Sequence, residues 1–114
     1  MTHKDLDVWK RSIQLVVDIY DLCKKLPRDE KFGLISQIKR SSVSVPSNIA
    51  EGAGRSSRAE YKRFLDISSG SLSELETQLI LIDKLGFANT NIIVETEVVI
   101  IRKMLYRLKL SLKS

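Results

Sequence analysis

The side chains with most chemical capacity fall at helical spacing in two stretches. Ser44, Asn48 and Glu51 lie three and four apart in the first, and Ser71, Glu74 and Gln78 do so in the second. Both rows run beside apolar positions. A hydroxyl, amide or carboxylate between greasy ridges is costly unless it finds a partner. Glu51, Glu74 and Glu76 are the carboxylates that could act as acid or base. Glu74 and Glu76 are two apart and point to different sides of a helix, so only Glu74 falls in a seam. The expected role of the row is structural: Glu74 meeting Ser44, Asn48 or Arg40 across a helix pair and fixing its register. Gln37 and Arg40 extend that row. A hydrolytic or small-molecule site built on Glu74 is the weaker rival.

Other chemistries lack their residues. His3 is the only histidine and Cys23 the only cysteine. A carboxylate-bridged metal pair needs Glu-x-x-His on facing helices, and a zinc site needs several nitrogen or sulfur ligands. No metal and no cofactor is therefore expected. Cys23 and His3 lie at opposite ends of one helix, too far apart for a nucleophile and its base. Gly52-Ala53-Gly54 is followed by Arg-Ser-Ser, without the lysine and preceding strand of a phosphate loop.

The elements that must hold these residues read as helices. The first is expected from about Asp5, as its cap, to Leu26, with Pro27 as its stop. Leu6, Trp9, Ile13, Val16, Tyr20 and Cys23 form one apolar seam. Val8, Leu15, Ile19, Leu22 and Leu26 form another, so this helix should touch more than one neighbour. The second should start near Arg28 or Asp29 and pass Pro46. There it either kinks or ends and restarts with Ser44 as cap; unbroken periodicity favours the kink. Gly52 to Ser56 reads as a connection. Ser57-Arg58-Ala59-Glu60 has capping-box spacing for the third helix, which Gly86 would end in a left-handed turn. Ser68 to Ser71 are small enough for close approach of another helix. Asn89 or Thr90 would cap the fourth helix, whose seam runs from Val94 to Leu112. Val98 to Ile101 is apolar nearly all round, a first hint of an oligomer. The expected fold is all-α: one antiparallel, up-down-up-down four-helix-bundle domain spanning residues 1–114.

The 114 residues carry 19 basic and 14 acidic groups, a net charge of +5. That excess permits nucleic-acid contact without requiring it. Two basic groups are the candidate face: Arg55, Arg58, Lys62 and Arg63, then Arg102, Lys103, Arg107, Lys109 and Lys113. Repetition in an oligomer would sum their phosphate contacts. The bland alternative is a solvated face, and no aromatic-rich surface of the single-strand-binding type is apparent. No apolar run approaches the roughly 18 residues of a membrane span. The N-terminal stretch lacks an apolar signal core, and one unpaired cysteine suits a reducing cytoplasm.

Trp9, the block 30–34 (Glu-Lys-Phe-Gly-Leu), Gln37 to Arg40, the block 44–52 and Phe64-Leu65 with the block 70–78 carry a further likeness. Together they resemble the four-helix-bundle protein family encoded in intervening sequences of some bacterial 23S rRNA genes. Ser44-Val45-Pro46-Ser47-Asn48-Ile49-Ala50-Glu51-Gly52 is the most specific block. Ser41-Ser42 depart from the alanines expected there. The resemblance covers nearly the whole chain. It implies an antiparallel bundle assembled as a ring-like homopentamer. It also implies similarity to the accessory protein of diversity-generating retroelements, a basic pentameric barrel that binds nucleic acid and a reverse transcriptase. The family name records where some genes lie and does not make its members ribosome components. Its marked positions fall here on Gln37, Arg40, Ser44, Asn48, Glu51, Gly52, Arg55, Gly70, Ser71, Glu74 and Glu76. The joint expectation is a non-enzymatic oligomer that binds RNA or an RNA-handling protein, against the alternative of an adaptor for proteins alone.

Overall fold

The computed structural model describes residues 2–112, and every regular element among them is helical. Lys113, part of the expected basic face, lies outside the described residues. Four long helices follow one another: α1 (Asp7–Cys23), α2 (Leu34–Ala53), α3 (Arg58–Lys84) and α4 (91–111). α4 opens as Asn91–Ile93, widens into a π-helical turn at Val94–Val98 and continues as Val99–Ser111. The apolar, β-branched run at 98–101 is thus helical, with Val98 and Ile101 fully buried.

Two starts differ from expectation. Asp5 does not cap α1; it belongs to a short 3-10 turn, His3–Asp5, where its carboxylate accepts from the Thr2 N–H at 2.9 Å. α2 starts at Leu34, later than Arg28 or Asp29, because Arg28–Glu30 forms a separate 3-10 turn after Pro27. Glu30 then reaches forward, and its Oε1 accepts from the Leu34 N–H at 3.3 Å. A side chain thereby supplies a partner for one of the open donors of a helix start. α2 is continuous through Pro46, so the helix does not restart there and Ser44 is not a cap.

α1 ends at Cys23, short of the expected Leu26, and Thr90 gives α4 no side-chain cap, whereas Ser57 and Gly86 act as expected. Ser57 Oγ accepts from the Glu60 N–H at 3.1 Å and starts α3. Gly86, at φ 77°, turns the chain after α3, and the Phe87 N–H reaches back to the Ile82 carbonyl at 3.0 Å. A left-handed φ costs glycine nothing and a branched residue much. Thr90 closes the turn, its hydroxyl donating to the Leu79 carbonyl at 2.6 Å and its N–H to Asp83 at 3.2 Å.

Cross-helix partners run in opposite order along α2 and α3, and along α3 and α4. Ser41 meets Gln78, Ser44 meets Ser71, and Gly52 meets Phe64 and Tyr61. Arg102 meets Glu76 while Lys109 meets Asp66. The core joins Leu15, Ile19 and Leu22 of α1 to Ile38, Val45 and Ile49 of α2, Leu65, Leu72, Leu75, Leu79 and Ile82 of α3, and Ile101 and Leu105 of α4. α2 and α3 make the most extensive contact.

Glycine marks the tightest point of that contact. A Cβ on Gly52 would lie 2.9 Å from Phe64 Cβ and 3.2 Å from the Tyr61 carbonyl oxygen, whereas one on Gly70 would meet nothing within 4 Å. Gly52→Ala is therefore expected to cost about 1–3 kcal/mol, as overpacking does. Gly70→Ala should gain about 0.5–1 kcal/mol from helix propensity. Urea titration of the two variants checks both signs.

Candidate functional site

The α2–α3 seam is a ladder of small hydroxyls. Ser41 Oγ lies 2.6 Å from Gln78 Oε1, and Ser44 Oγ lies 2.8 Å from Ser71 Oγ. Asn48 Nδ2 donates within α2, to the Ser44 carbonyl at 2.8 Å and to its hydroxyl at 2.9 Å. Ser68 Oγ donates to the Val45 carbonyl at 2.8 Å. Ser41, Ser68 and Gln78 are buried. Among the described residues, no buried side-chain nitrogen or oxygen lacks a partner.

Of the expected polar row, the structure brings together Ser44, Asn48, Ser71 and Gln78. It adds Ser41 and Ser68, which the sequence reading missed. For Ser41 the departure from an expected alanine was the available signal, since a serine at a core position needs an acceptor. Glu74 is a correction: it is exposed and makes no hydrogen bond to Ser44, Asn48 or Arg40. Gln37 and Arg40 are exposed as well. Glu51 faces outward, 3.3 Å from Arg55 one turn on.

Much of the expected basic face is already paired. Arg55 joins Glu51, Arg63 joins Glu60 at 2.8 Å, Arg102 joins Glu76 at 2.9 Å, and Lys109 joins Asp66 at 2.8 Å. The hydrogen bond and charge of Arg63 hold the Glu60 carboxyl below its usual range. Arg55 and Arg63 also stand over the Phe64 ring, at 4.8 and 4.6 Å. Arg58 lies on the same helix start. Lys62, Lys103 and Arg107 have no ion pair among the described residues. Among those residues, no group of three or more His, Cys, Asp or Glu could hold a metal ion. No helix there is long and apolar enough to cross a membrane.

The fold and seam define an all-helical protein whose second and third helices are joined by small polar side chains. The chain belongs to the 23S rRNA-intervening sequence protein family, whose model matches residues 4–107. Among solved structures, it is similar to a protein of unknown function from the S23 ribosomal protein family of Bacteroides thetaiotaomicron VPI-5482. That likeness has 28% identity and a TM-score of 0.81, covering 90% of this chain and 97% of the other. A search of curated proteins found no match.

The ladder makes a testable asymmetry. Ser41→Ala strands the Gln78 carbonyl oxygen and should cost about 1–3 kcal/mol, whereas Ser41→Ala with Gln78→Met should recover most of that loss. Chemical denaturation of both variants reads the difference.

Proposed function

We propose that this protein is a non-enzymatic, cytoplasmic homo-oligomer that binds RNA, or a protein that handles RNA, through basic faces repeated by its symmetry. The observation that carries the reading is an apolar face left uncovered by the chain's own helices. Ile13, Val17 and Tyr20 of α1 and Val43 of α2 are exposed, Val17 by 49%. Trp9, Ile13, Val16, Val43, Pro46 and Ala50 line a groove of about 270 Å³ between α1 and α2. α3 and the residue after it carry further exposed apolar side chains, Ile67, Leu81 and Leu85, with Glu74 between the first two. Two unlike apolar faces on one monomer suit head-to-tail contacts, which close into rings when the rotation permits. Five subunits is the number that the family resemblance implies for such a ring. A ring repeats Lys62, Lys103 and Arg107, whose charge is not spent on a carboxylate among the described residues.

A second reading has its own support. Arg55, Arg63, Arg102 and Lys109 are all engaged with acids, which favours an adaptor that binds proteins alone. The rival based on Glu74 gains nothing, since that carboxylate stands exposed outside the seam.

Light scattering should return a multiple of the 13.0 kDa chain, and Val17→Glu should reduce the mass without loss of helical signal. RNA affinity should fall steeply with salt. Lys103→Gln with Arg107→Gln should lower that log–log slope by about 1 per charge removed. A slope near zero would leave the adaptor reading in possession.

A further inference from the structure

Part of the chain's uncompensated charge lies at a place that neither basic group of the sequence includes. Where α1 hands over to α2, a cavity of about 490 Å³ opens, within the range of about 300–1,000 Å³ usual for small-ligand sites. Lys24, Arg28, Lys31 and Lys39 contribute four cations to its wall, and Leu26 and Ile35 its apolar floor. Lys24 is tied to Asp21 at 3.3 Å. Arg28, Lys31 and Lys39 have no carboxylate partner among the described residues. The nearby Glu30 is turned to the start of α2.

Two of these ammonium groups rest on aromatic rings. Lys39 Nζ lies 4.8 Å from the Tyr20 ring centre and Lys31 Nζ lies 5.5 Å from that of Phe32. A ring face steadies a cation without neutralising it. Tyr20 lines the cavity, and Phe32, next to Lys31, is 90% exposed. A phenylalanine so bare is costly to keep in water and offers a flat surface to a planar group. Cys23, in the same wall, is buried; burial raises its thiol pKa while the Lys39 charge lowers it.

Three unpaired cations ask for more than a single negative charge, which points to a phosphate monoester and away from a fatty carboxylate. The Tyr20 ring in the wall and the bare Phe32 ring beside Lys31 ask for a planar body. We infer that this cavity binds a nucleotide phosphate, with the phosphate among Arg28, Lys31 and Lys39 and the base against Phe32 or Tyr20. Two sources share that chemistry: a free mononucleotide and the 5′-phosphorylated end of an RNA strand. The choice of a nucleoside as the planar body rests on the nucleic-acid reading above; the demand for an anion does not.

The test is calorimetric titration of the full chain with adenosine monophosphate, and with one short single-stranded RNA carrying either a 5′-phosphate or a 5′-hydroxyl. The phosphorylated RNA is expected to bind about tenfold tighter, the effect of about 1.4 kcal/mol. Lys39→Gln and, separately, Phe32→Ala should each remove that difference. Phe32 is too exposed for its truncation to unfold the chain. Lys103→Gln with Arg107→Gln should weaken both RNAs alike. Binding of the mononucleotide alone, with no RNA bound in either form, would uphold the cavity as a free-nucleotide site and sink the RNA reading. Equal binding of both RNAs with no mononucleotide bound would overturn the cavity proposal and leave the RNA reading standing. A change of mass with Phe32→Ala, with nucleotide affinity untouched, would also overturn it by assigning that ring to a subunit contact.

Discussion

The distance between α2 and α3 is the constraint on which the rest of this structure depends. Gly52 sets it at one end, where no side-chain atom fits between α2 and the Tyr61–Phe64 turn. Serines set it further along, and a hydroxyl so placed must be bonded or it destabilises. Close approach and hydrogen bonding are therefore one requirement. Ser44 can reach Ser71 only if the helices are near, and the helices can be near only if both residues are small. Leucine at either place would hold the pair apart, as in an ordinary bundle seam.

The other two helices are held by different means. α1 adds Val8, Leu15, Ile19 and Leu22 to the core, and α4 adds Val98, Ile101 and Leu105. Ion pairs then fasten α4 at its edges. Arg11 grips Glu97 through two bonds of 3.1 and 3.2 Å, and Arg102 and Lys109 reach across to α3. Each such surface pair contributes only about 0–1 kcal/mol. Their larger effect is on the field of the molecule, because every pair removes a cation from the surface available to a phosphate.

Periodicity made the four helices, the Ser57 start and the Gly86 stop legible before any coordinates. It blurred which side of a seam faces inward. Residues seven apart keep nearly the same direction on a helix, drifting by about 20°. Phe64, Ser71 and Gln78 form one such row, turned inward; Ile67, Glu74 and Leu81 form the next, turned outward. A seam drawn by alternating threes and fours merges the two rows, and so Glu74 looked buried. Ile13 and Tyr20 were merged into the first seam of α1 in the same way. The 3-10 turns at His3–Asp5 and Arg28–Glu30 moved two helix starts, since an acid near a helix start can cap the helix or a turn before it.

Charge was the least legible property, and the reason is geometric. Arg11 and Glu97 are 86 positions apart in the chain, Lys109 and Asp66 are 43 apart, and Arg102 and Glu76 are 26 apart. Only folding decides that these cations are answered. The same folding leaves Arg28, Lys31 and Lys39 around one cavity without an ion pair among the described residues, Lys31 and Lys39 resting on aromatic rings. A net charge of +5 says nothing of this division. Surface potential follows the unanswered charges, and concave, low-dielectric walls concentrate it. The bend between α1 and α2 thus offers an anion three cations, Arg28, Lys31 and Lys39, that no carboxylate answers among the described residues, whereas Arg55 and Arg63 near the start of α3 are each paired with an acid.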